Sequence, residues 1–202
     1  MRRFLARTAL AAALTLPLAG QAQTTDVAGV AFPNTVQLGN ARLQLNGAGV
    51  RYKVVFKVYA AALYLGEKAA TPDAVFAATG PRQLKVVMLR EIDANELGKL
   101  FTKGIEQNAP RDEFSKSITG ILRMSDIFSS RKKLQPGDWF TVDWIPGTGT
   151  VIVVNGKAEG EPIKEPEFYS ALMKIWLGKS PADAQLKEAL LGRVAAVPGG
   201  GS

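Results

Sequence analysis

The segment from Asn46 to Leu65, NGAGVRYKVVFKVYAAALYL, constrains the fold of this chain more than any other. It begins with two glycines, Gly47 and Gly49, which predict a flexible start, and continues with Val, Tyr and Phe, which favour strands. Successive side chains point to opposite faces of a strand, so the even-numbered residues from Val50 to Tyr64 would form one apolar face. The other face is mostly polar at first and apolar from Ala61 onward. The segment therefore predicts a strand whose second half lies between two layers and whose first half meets water, a ligand or acidic side chains.

The other strands of the predicted sheet are short and are separated by turn residues. Gly39-Asn40 and Asn155-Gly156 are typical of tight turns, and Pro146–Gly149 is expected to be a hairpin loop. The segment Leu84–Leu89 is apolar on both faces except at Lys85, as expected of a central strand. The remaining predicted strands are Val27–Phe32, Val36–Leu38, Ala41–Leu45, Trp139–Ile145 and Val151–Val154.

Four helices are predicted after the central strand. The first begins at Asp93, an N-cap residue followed three positions later by Glu96, as in a capping box. The second carries an apolar stripe of residues at helical spacing, and the third ends at Gly178. Ser180-Pro181 is expected to cap the fourth. The stripe of the second helix consists of Phe114, Ile118, Ile121, Leu122, Ser125 and Phe128.

These elements predict the α+β class, with an antiparallel sheet and helices layered on one face. At 202 residues the chain has the size of one domain, which we place at residues 23–195, followed by a flexible tail at 196–202. Residues 1–22 have the basic start, the short Ala/Leu run and the small residues near a cleavage site that are typical of a secretory signal peptide. The apolar run is too short to span a bilayer. We therefore expect export to the periplasm of a Gram-negative cell, without stable membrane insertion.

Composition excludes several kinds of chemistry. The chain has no Cys and no His, which excludes disulfides, thiolate nucleophiles, Ser-His-Asp triads and metal sites built on Cys or His. A site for Mg²⁺ or Ca²⁺ made of carboxylates alone stays open, but no typical loop for one is present, and no metal or cofactor is predicted. Removal of the three leader arginines lowers the net charge from +7 to +4. This mild charge, with no basic cluster interleaved with aromatics, argues against nucleic acid as a partner.

Several segments together resemble the chalcone isomerase family, in its bacterial chalcone isomerase-like branch. The resemblance implies an open-faced β-sandwich of the chalcone isomerase type and extends over nearly the whole chain after the leader. The segments that carry it are GAGVR, FKVYAAALYL, LKVVMLREIDANEL, the hairpin around Pro146–Gly149, VNGKAEG and ALMKIWLG.

The resemblance also implies a binding site at Arg51 and Tyr59. The family's arginine after the glycines falls on Arg51, and the tyrosine of its VYA motif falls on Tyr59. In the fatty-acid-binding members this pair holds a carboxylate, and in the isomerases the arginine faces the substrate. A guanidinium group matches a carboxylate with two parallel hydrogen bonds. A straight strand would hold the two residues about 26 Å apart, so the chain must fold back between Lys53 and Phe56 for them to share a ligand.

Arg90, Leu97 and Phe101 complete the predicted ligand-binding residues. Arg90 lies where an apolar strand meets the start of a helix, and it could instead pair with Glu91, Asp93 or Glu96. The isomerases carry a Tyr and an Asn on the helix over the cleft, and an ungapped placement puts Leu97 and Gly104 at those positions. With Leu97 and Phe101 on that helix, an alkyl chain is favoured over a polyphenol, and no catalytic residue is predicted.

Three functions are consistent with these residues. The favoured hypothesis is an exported, non-catalytic binder or carrier of a small apolar monocarboxylate such as a fatty acid. The alternative is an isomerase or intramolecular lyase of the chalcone isomerase type, acting on a small aromatic or unsaturated acid. A structural or partner-binding periplasmic protein with a vestigial cleft is a third possibility.

Overall fold

The computed structural model describes residues 23–193, so the predicted signal peptide at 1–22 and the predicted tail at 196–202 lie outside the described residues. The strands are β1 Thr24–Val27, β2 Val30–Pro33, β3 Thr35–Leu38, β4 Ala41–Lys53, β5 Phe56–Leu65, β6 Arg82–Met88, β7 Ile92–Asp93, β8 Lys133–Leu134, β9 Trp139–Ile145, β10 Gly149–Val154 and β11 Lys157–Ala158. The helices are α1 Pro72–Ala77, α2 Ala94–Asn108, α3 Arg111–Ser129, α4 Pro166–Leu177 and α5 Ala184–Leu190.

The main sheet has seven antiparallel strands in the order β11-β10-β9-β6-β5-β4-β3. Helices α2, α3 and α4 pack with it around the larger apolar core, to which β5 contributes Tyr59, Ala61, Leu63 and Leu65. The predicted α+β class, with an antiparallel sheet under a helical layer, is confirmed. The central strand predicted at Leu84–Leu89 is confirmed as far as Met88, because β6 lies between β5 and β9, whereas Leu89 follows the end of the strand.

The segment Asn46–Leu65 is not one strand but the larger part of a hairpin. It folds back at Val54-Val55, where Lys53 pairs with Phe56, and the backbone of Val54 has a φ of 58°. The single apolar face expected from residue parity is wrong as a whole. Val50 still lies opposite Ala60, but the reversal and the register shift between Arg51 and Tyr52 pair Tyr52 with Lys57 and Phe56 with Lys53. The prediction that the second half lies between two layers is confirmed: Val58–Leu65 is buried throughout.

The far side of the sheet is covered in part by the β1–β2 hairpin. The prediction of a single strand over Val27–Phe32 is wrong, since Ala28 and Gly29 form a tight turn with φ of 54° and 82°. Phe32 from this hairpin packs with Leu43 and Tyr64 in a second, smaller apolar cluster. This cluster explains why β5 is apolar on both faces.

Helix α3 differs from its predicted stripe. Ile121 and Phe128 are buried as expected, but Ile118 and Leu122 are exposed. The helix instead turns Gly120 toward α4, where a Cβ atom would lie 2.4 Å from Cδ2 of Phe168. Because this close approach fixes the rotation of the helix, two apolar residues of the stripe face outward.

Gly47 and Gly49 allow a close approach rather than a flexible start. A Cβ atom on Gly47 would lie 2.0 Å from the carbonyl oxygen of Ala189, and one on Gly49 would lie 2.5 Å from Cβ of Ala189. Helix α5 thus lies directly against β4. Its N-cap is Asp183, whose Oδ1 accepts a hydrogen bond from Leu186 N at 3.0 Å, so the start predicted at Ser180-Pro181 is too early.

Candidate ligand-binding site

A cavity of about 280 Å³ lies between the sheet and the helical layer, at the end of β5 nearer the Val54-Val55 turn. Four of the five predicted ligand-binding residues line it: Arg51, Tyr59, Leu97 and Phe101. The hairpin supplies the arginine and the tyrosine, and α2 supplies the two apolar residues. The cavity therefore combines a cationic group on its inner wall with apolar side chains of the helix.

Arg51 and Tyr59 meet because the hairpin places them directly opposite each other on β4 and β5. The Arg51 Cζ atom lies 5.5 Å from the centroid of the Tyr59 ring. The Nε atom of Arg51 is buried and has no hydrogen-bond partner, and no ion pair within residues 23–193 involves this arginine. The fold-back required for a shared ligand is present, and it leaves the guanidinium group able to receive an anion.

The hydroxyl group of Tyr59 is held by Trp176 of α4. Trp176 Nε1 donates a hydrogen bond to the Tyr59 oxygen at 2.8 Å. Burial raises the pKa of Tyr59 to about 12, an effect that the Arg51 charge and the Trp176 hydrogen bond partly oppose. The phenol therefore keeps its proton at neutral pH, and this proton remains available for donation to a ligand oxygen.

Trp176 lines the cavity but is not among the predicted ligand-binding residues. It lies within the ALMKIWLG segment, but nothing in the spacing shows that its indole reaches a tyrosine 117 positions earlier. Its ring centroid is 6.2 Å from that of Phe101, which in turn packs on Phe128 at 5.3 Å. Trp176 thus both orients Tyr59 and forms part of the apolar wall.

Arg90 lies in a second cavity of about 180 Å³ that shares Arg51 and Leu100 with the first. Its guanidinium carbon is 5.1 Å from the centroid of the exposed Phe56 ring. Within residues 23–193, no ion pair joins Arg90 to Glu91, Asp93 or Glu96. Glu91 pairs instead with Lys133 at 2.6 Å, so Arg90 lines the second cavity without an ion-pair partner in the described part of the chain.

The helix α2 offers little polar chemistry inside the main cavity. Leu97 is 2% exposed, and a Cβ atom on Gly104 would lie 3.0 Å from Cγ1 of Ile175. The polar α2 residues that line the cavity are Lys103 and Gln107, which are exposed and therefore belong to its rim. The two α2 positions that the ungapped placement matches to the polar pair of the isomerases thus hold an alkyl side chain and a closely packed glycine.

The family model described as chalcone isomerase-like matches residues 24–192, and the chain belongs to this family. A solved structure with a similar fold is a fatty-acid binding protein of Arabidopsis thaliana. It is 15% identical, with a TM-score of 0.58 over 81% of this chain and 92% of that chain. Among curated proteins, none matches this chain.

Residues 23–193 contain no group of three Asp or Glu side chains arranged to hold a metal ion. No helix in this range combines the length and the apolar character needed to span a membrane.

Proposed function

We propose that this protein is exported to the periplasm and there binds or carries an apolar monocarboxylate, such as a fatty acid, without catalysing a reaction. The observation that carries the proposal is the Arg51 guanidinium group, which has no anionic partner within residues 23–193 and lies beside Tyr59 at a cavity with an apolar inner wall. A carboxylate head would receive hydrogen bonds from Arg51 and from the Tyr59 hydroxyl.

The walls and size of the cavity support an alkyl tail of modest length. Leu97, Phe101, Ile175 and Trp176 surround the space beyond the arginine, and pockets of this mostly apolar kind bind ligands through few polar groups. A volume of about 280 Å³ is near the lower end of the range for small-molecule sites. A short- or medium-chain acid therefore suits the space better than a long-chain one.

The similarity in fold to a fatty-acid binding protein agrees with this assignment. Catalysis of the chalcone isomerase type would require positioned polar groups around a developing negative charge. Arg51 and Tyr59 supply donors on the strand side, whereas Leu97 and Gly104 supply no side-chain donor from the helix side. Binding without turnover is therefore the function that these residues support best.

The test is calorimetric titration of the purified protein with a medium-chain fatty acid and with the corresponding alcohol. Arg51→Ala should weaken acid binding by roughly ten- to a hundredfold, because a charge-assisted hydrogen bond contributes about 1.5–3 kcal/mol. Affinity for the alcohol should hardly change. Arg51→Lys should recover only part of the loss, since an ammonium group cannot form the two parallel hydrogen bonds.

Lys99→Ala is the matched control, because it removes an exposed cation of α2 that lines neither cavity. It should leave the affinity for both ligands within about twofold of wild type, as expected for a screened surface charge. Equal weakening of acid and alcohol by Arg51→Ala would show that Arg51 acts through packing. No weakening of either would place the head group elsewhere, with Arg90 the next residue to test. Intact-mass measurement of the periplasmic fraction tests export, which predicts loss of residues 1–22.

A further inference from the structure

The tip of the β4–β5 hairpin is an exposed apolar protrusion. Val54 is 90% exposed, Val55 76%, Phe56 59% and Tyr52 38%. Val54 and Val55 lie at the reversal itself, and Tyr52 and Phe56 lie on the strands beside it. Because these residues project from a narrow turn, they form a convex tip rather than a flat patch. We refer to Tyr52, Val54, Val55 and Phe56 as the apolar tip.

The composition of the turn is unusual for its conformation. Val54 has a φ of 58°, a region that favours Gly and Asn and that is strained for a β-branched residue. The Val54 side chain is almost fully exposed, so no packing inside the domain offsets this strain. An apolar, β-branched side chain at this position thus stabilises nothing within residues 23–193, and a contact outside the domain would account for it.

Cations flank the apolar tip on both strands. Lys53 and Lys57 are exposed and lie immediately beside the tip residues, and the Arg90 guanidinium group stacks on Phe56. Apolar side chains at the end of a protrusion, with Lys and Arg behind them, match the layered chemistry of an anionic bilayer surface. The apolar groups enter the acyl boundary while the cations meet lipid phosphates, each contributing about 1 kcal/mol. A tyrosine at the edge of the tip suits the headgroup level.

The apolar tip is also connected to the ligand cavity. Lys53 and Val58, which flank the tip, line the second cavity together with Arg90. This cavity shares Arg51 and Leu100 with the main one. The cations Lys53 and Arg90 therefore line the space next to the tip, and Arg51 lines both that space and the main cavity.

We propose that the apolar tip inserts into the surface of an anionic lipid bilayer and that the protein takes up or releases its ligand there. The docking surface stands on the exposure and charge of the tip, whereas the transfer of ligand rests on the proposed function. Docking to the bilayer and binding of ligand in the cavity, on which the transfer depends, are tested separately.

The test of docking is sedimentation of the protein with vesicles of phosphatidylethanolamine containing a minority of phosphatidylglycerol, and with vesicles of phosphatidylcholine alone. The protein is purified from cells expressing the complete chain, and its intact mass is recorded first, because an uncleaved leader would itself bind lipid. Wild type should sediment with the anionic vesicles, more weakly at high salt and more weakly with phosphatidylcholine.

The decisive variant is Val54→Asn, since asparagine tolerates a positive φ and loses the apolar group. It should keep or raise the melting temperature while weakening vesicle binding about fivefold. Val54→Asn combined with Phe56→Ser should weaken vesicle binding by about tenfold or more. Leu122→Ser is the matched control, because Leu122 is 61% exposed and apolar but lies on α3, outside the hairpin. It should bind vesicles like wild type.

Three results would overturn the docking proposal: no sedimentation of wild type, wild-type binding by the tip variants, or an equal loss in Leu122→Ser. Self-association abolished by Val54→Asn, without vesicle binding, would assign the tip to a second copy of the chain instead. Titration of the same variants with a medium-chain acid in solution tests the cavity separately, and Val54→Asn should bind the acid like wild type. Vesicle binding without acid binding would therefore contradict the proposed function and leave the docking surface intact.

Discussion

Two arginine–tyrosine pairs lie on the helix-facing side of the sheet, toward opposite ends of β5 and β6, and they use their donors differently. Arg82 is 7% exposed, lies 4.8 Å from the Tyr169 ring centroid, and donates from NH1 to the carbonyl oxygen of Val75 at 3.0 Å, although its Nε, like that of Arg51, is buried without a partner among the described residues. Arg51 stacks on Tyr59 in the same manner but donates no hydrogen bond to the described residues. Stacking on an aromatic ring therefore does not identify a site, whereas unused donors next to a cavity do.

The two arginines should differ most in how much they contribute to the free energy of unfolding. Arg82→Ala removes the hydrogen bond to Val75 and the cation–π contact with Tyr169, so it should lower the free energy of unfolding by about 3–4 kcal/mol. Arg51→Ala should lower it by about 1 kcal/mol or less, because Arg51 supports only the Tyr59 ring. Urea unfolding followed by circular dichroism measures both. Similar losses for the two variants would mean that Arg51 is a structural residue.

Asp143, which lies on the strand of the sheet next to that of Arg82, should make the stability of the protein depend on pH, whereas the cavity residues should not. Burial raises the pKa of Asp143 to about 6, against hydrogen bonds from Gln83 and Thr141 that lower it. The folded protein thus holds a proton between pH 3.8 and about 6 that the unfolded chain releases, so stability falls as the pH rises through this window. The accumulated loss should be about 2–3 kcal/mol.

Asp143→Asn is the variant that isolates this effect. It should be more stable than wild type at pH 7 and should show a flatter dependence between pH 4 and pH 6, measured by urea unfolding across the range. Arg51→Ala should retain the wild-type slope. An unchanged slope in Asp143→Asn would assign the pH dependence to other carboxylates.

The tyrosine of the cavity should matter moderately. Tyr59→Phe leaves Trp176 Nε1 buried without its acceptor, at a cost of about 1–2 kcal/mol in the free energy of unfolding. The same change removes the hydroxyl donor. It should therefore weaken acid binding about two- to tenfold more than it weakens alcohol binding. Unfolding and calorimetry on one preparation give both values. Wild-type acid binding would show that the hydroxyl serves Trp176 alone.

The smallest change in stability should come from replacing Tyr169, the tyrosine beside Arg82. Within residues 23–193 the buried Tyr169 hydroxyl has no hydrogen-bond partner. Tyr169→Phe should therefore change stability by no more than about 0.5 kcal/mol, on the stabilising side, and leave ligand binding unchanged. Destabilisation as large as that of Tyr59→Phe would reveal a bound water molecule at Tyr169 and reduce the contrast between the two pairs.

The sequence predicted what depends on local pattern. Alternating apolar residues located the sheet strands, and Asp93 was recognised as an N-cap, which accepts from Glu96 N at 2.9 Å. A reversal of the chain was required for Arg51 and Tyr59 to share a ligand. Its position at Val54-Val55 could not be predicted from turn residues, because valine is not favoured in turns. The outward rotation of Ile118 and Leu122 depends on the contact between Gly120 and Phe168, which are remote in sequence.

The candidate site was predicted through the resemblance rather than through residue chemistry. Arg51 and Tyr59 are separated by a turn that the pattern alone does not show, and Trp176 joins them only in the folded chain. The contrast between Arg51 and Arg82 was likewise invisible, since it depends on which carbonyl oxygens surround each guanidinium group. Whether a buried donor meets an acceptor from a distant part of the chain depends on the tertiary structure, and the neighbouring sequence does not show it.

The close approach of α5 to Gly47 and Gly49 has a consequence for behaviour at high concentration. Strand β3 pairs with β4 only as far as Gln44, so the remainder of β4 would be an exposed edge, able to recruit a strand of another molecule. Helix α5 covers this edge: Asp183 Oδ2 accepts from Tyr52 N at 2.9 Å, and Asn46 donates to Leu190 O at 2.8 Å. A side chain at Gly47 would displace the helix and leave main-chain donors and acceptors unsatisfied. The two glycines thereby protect the protein from aggregating edge to edge.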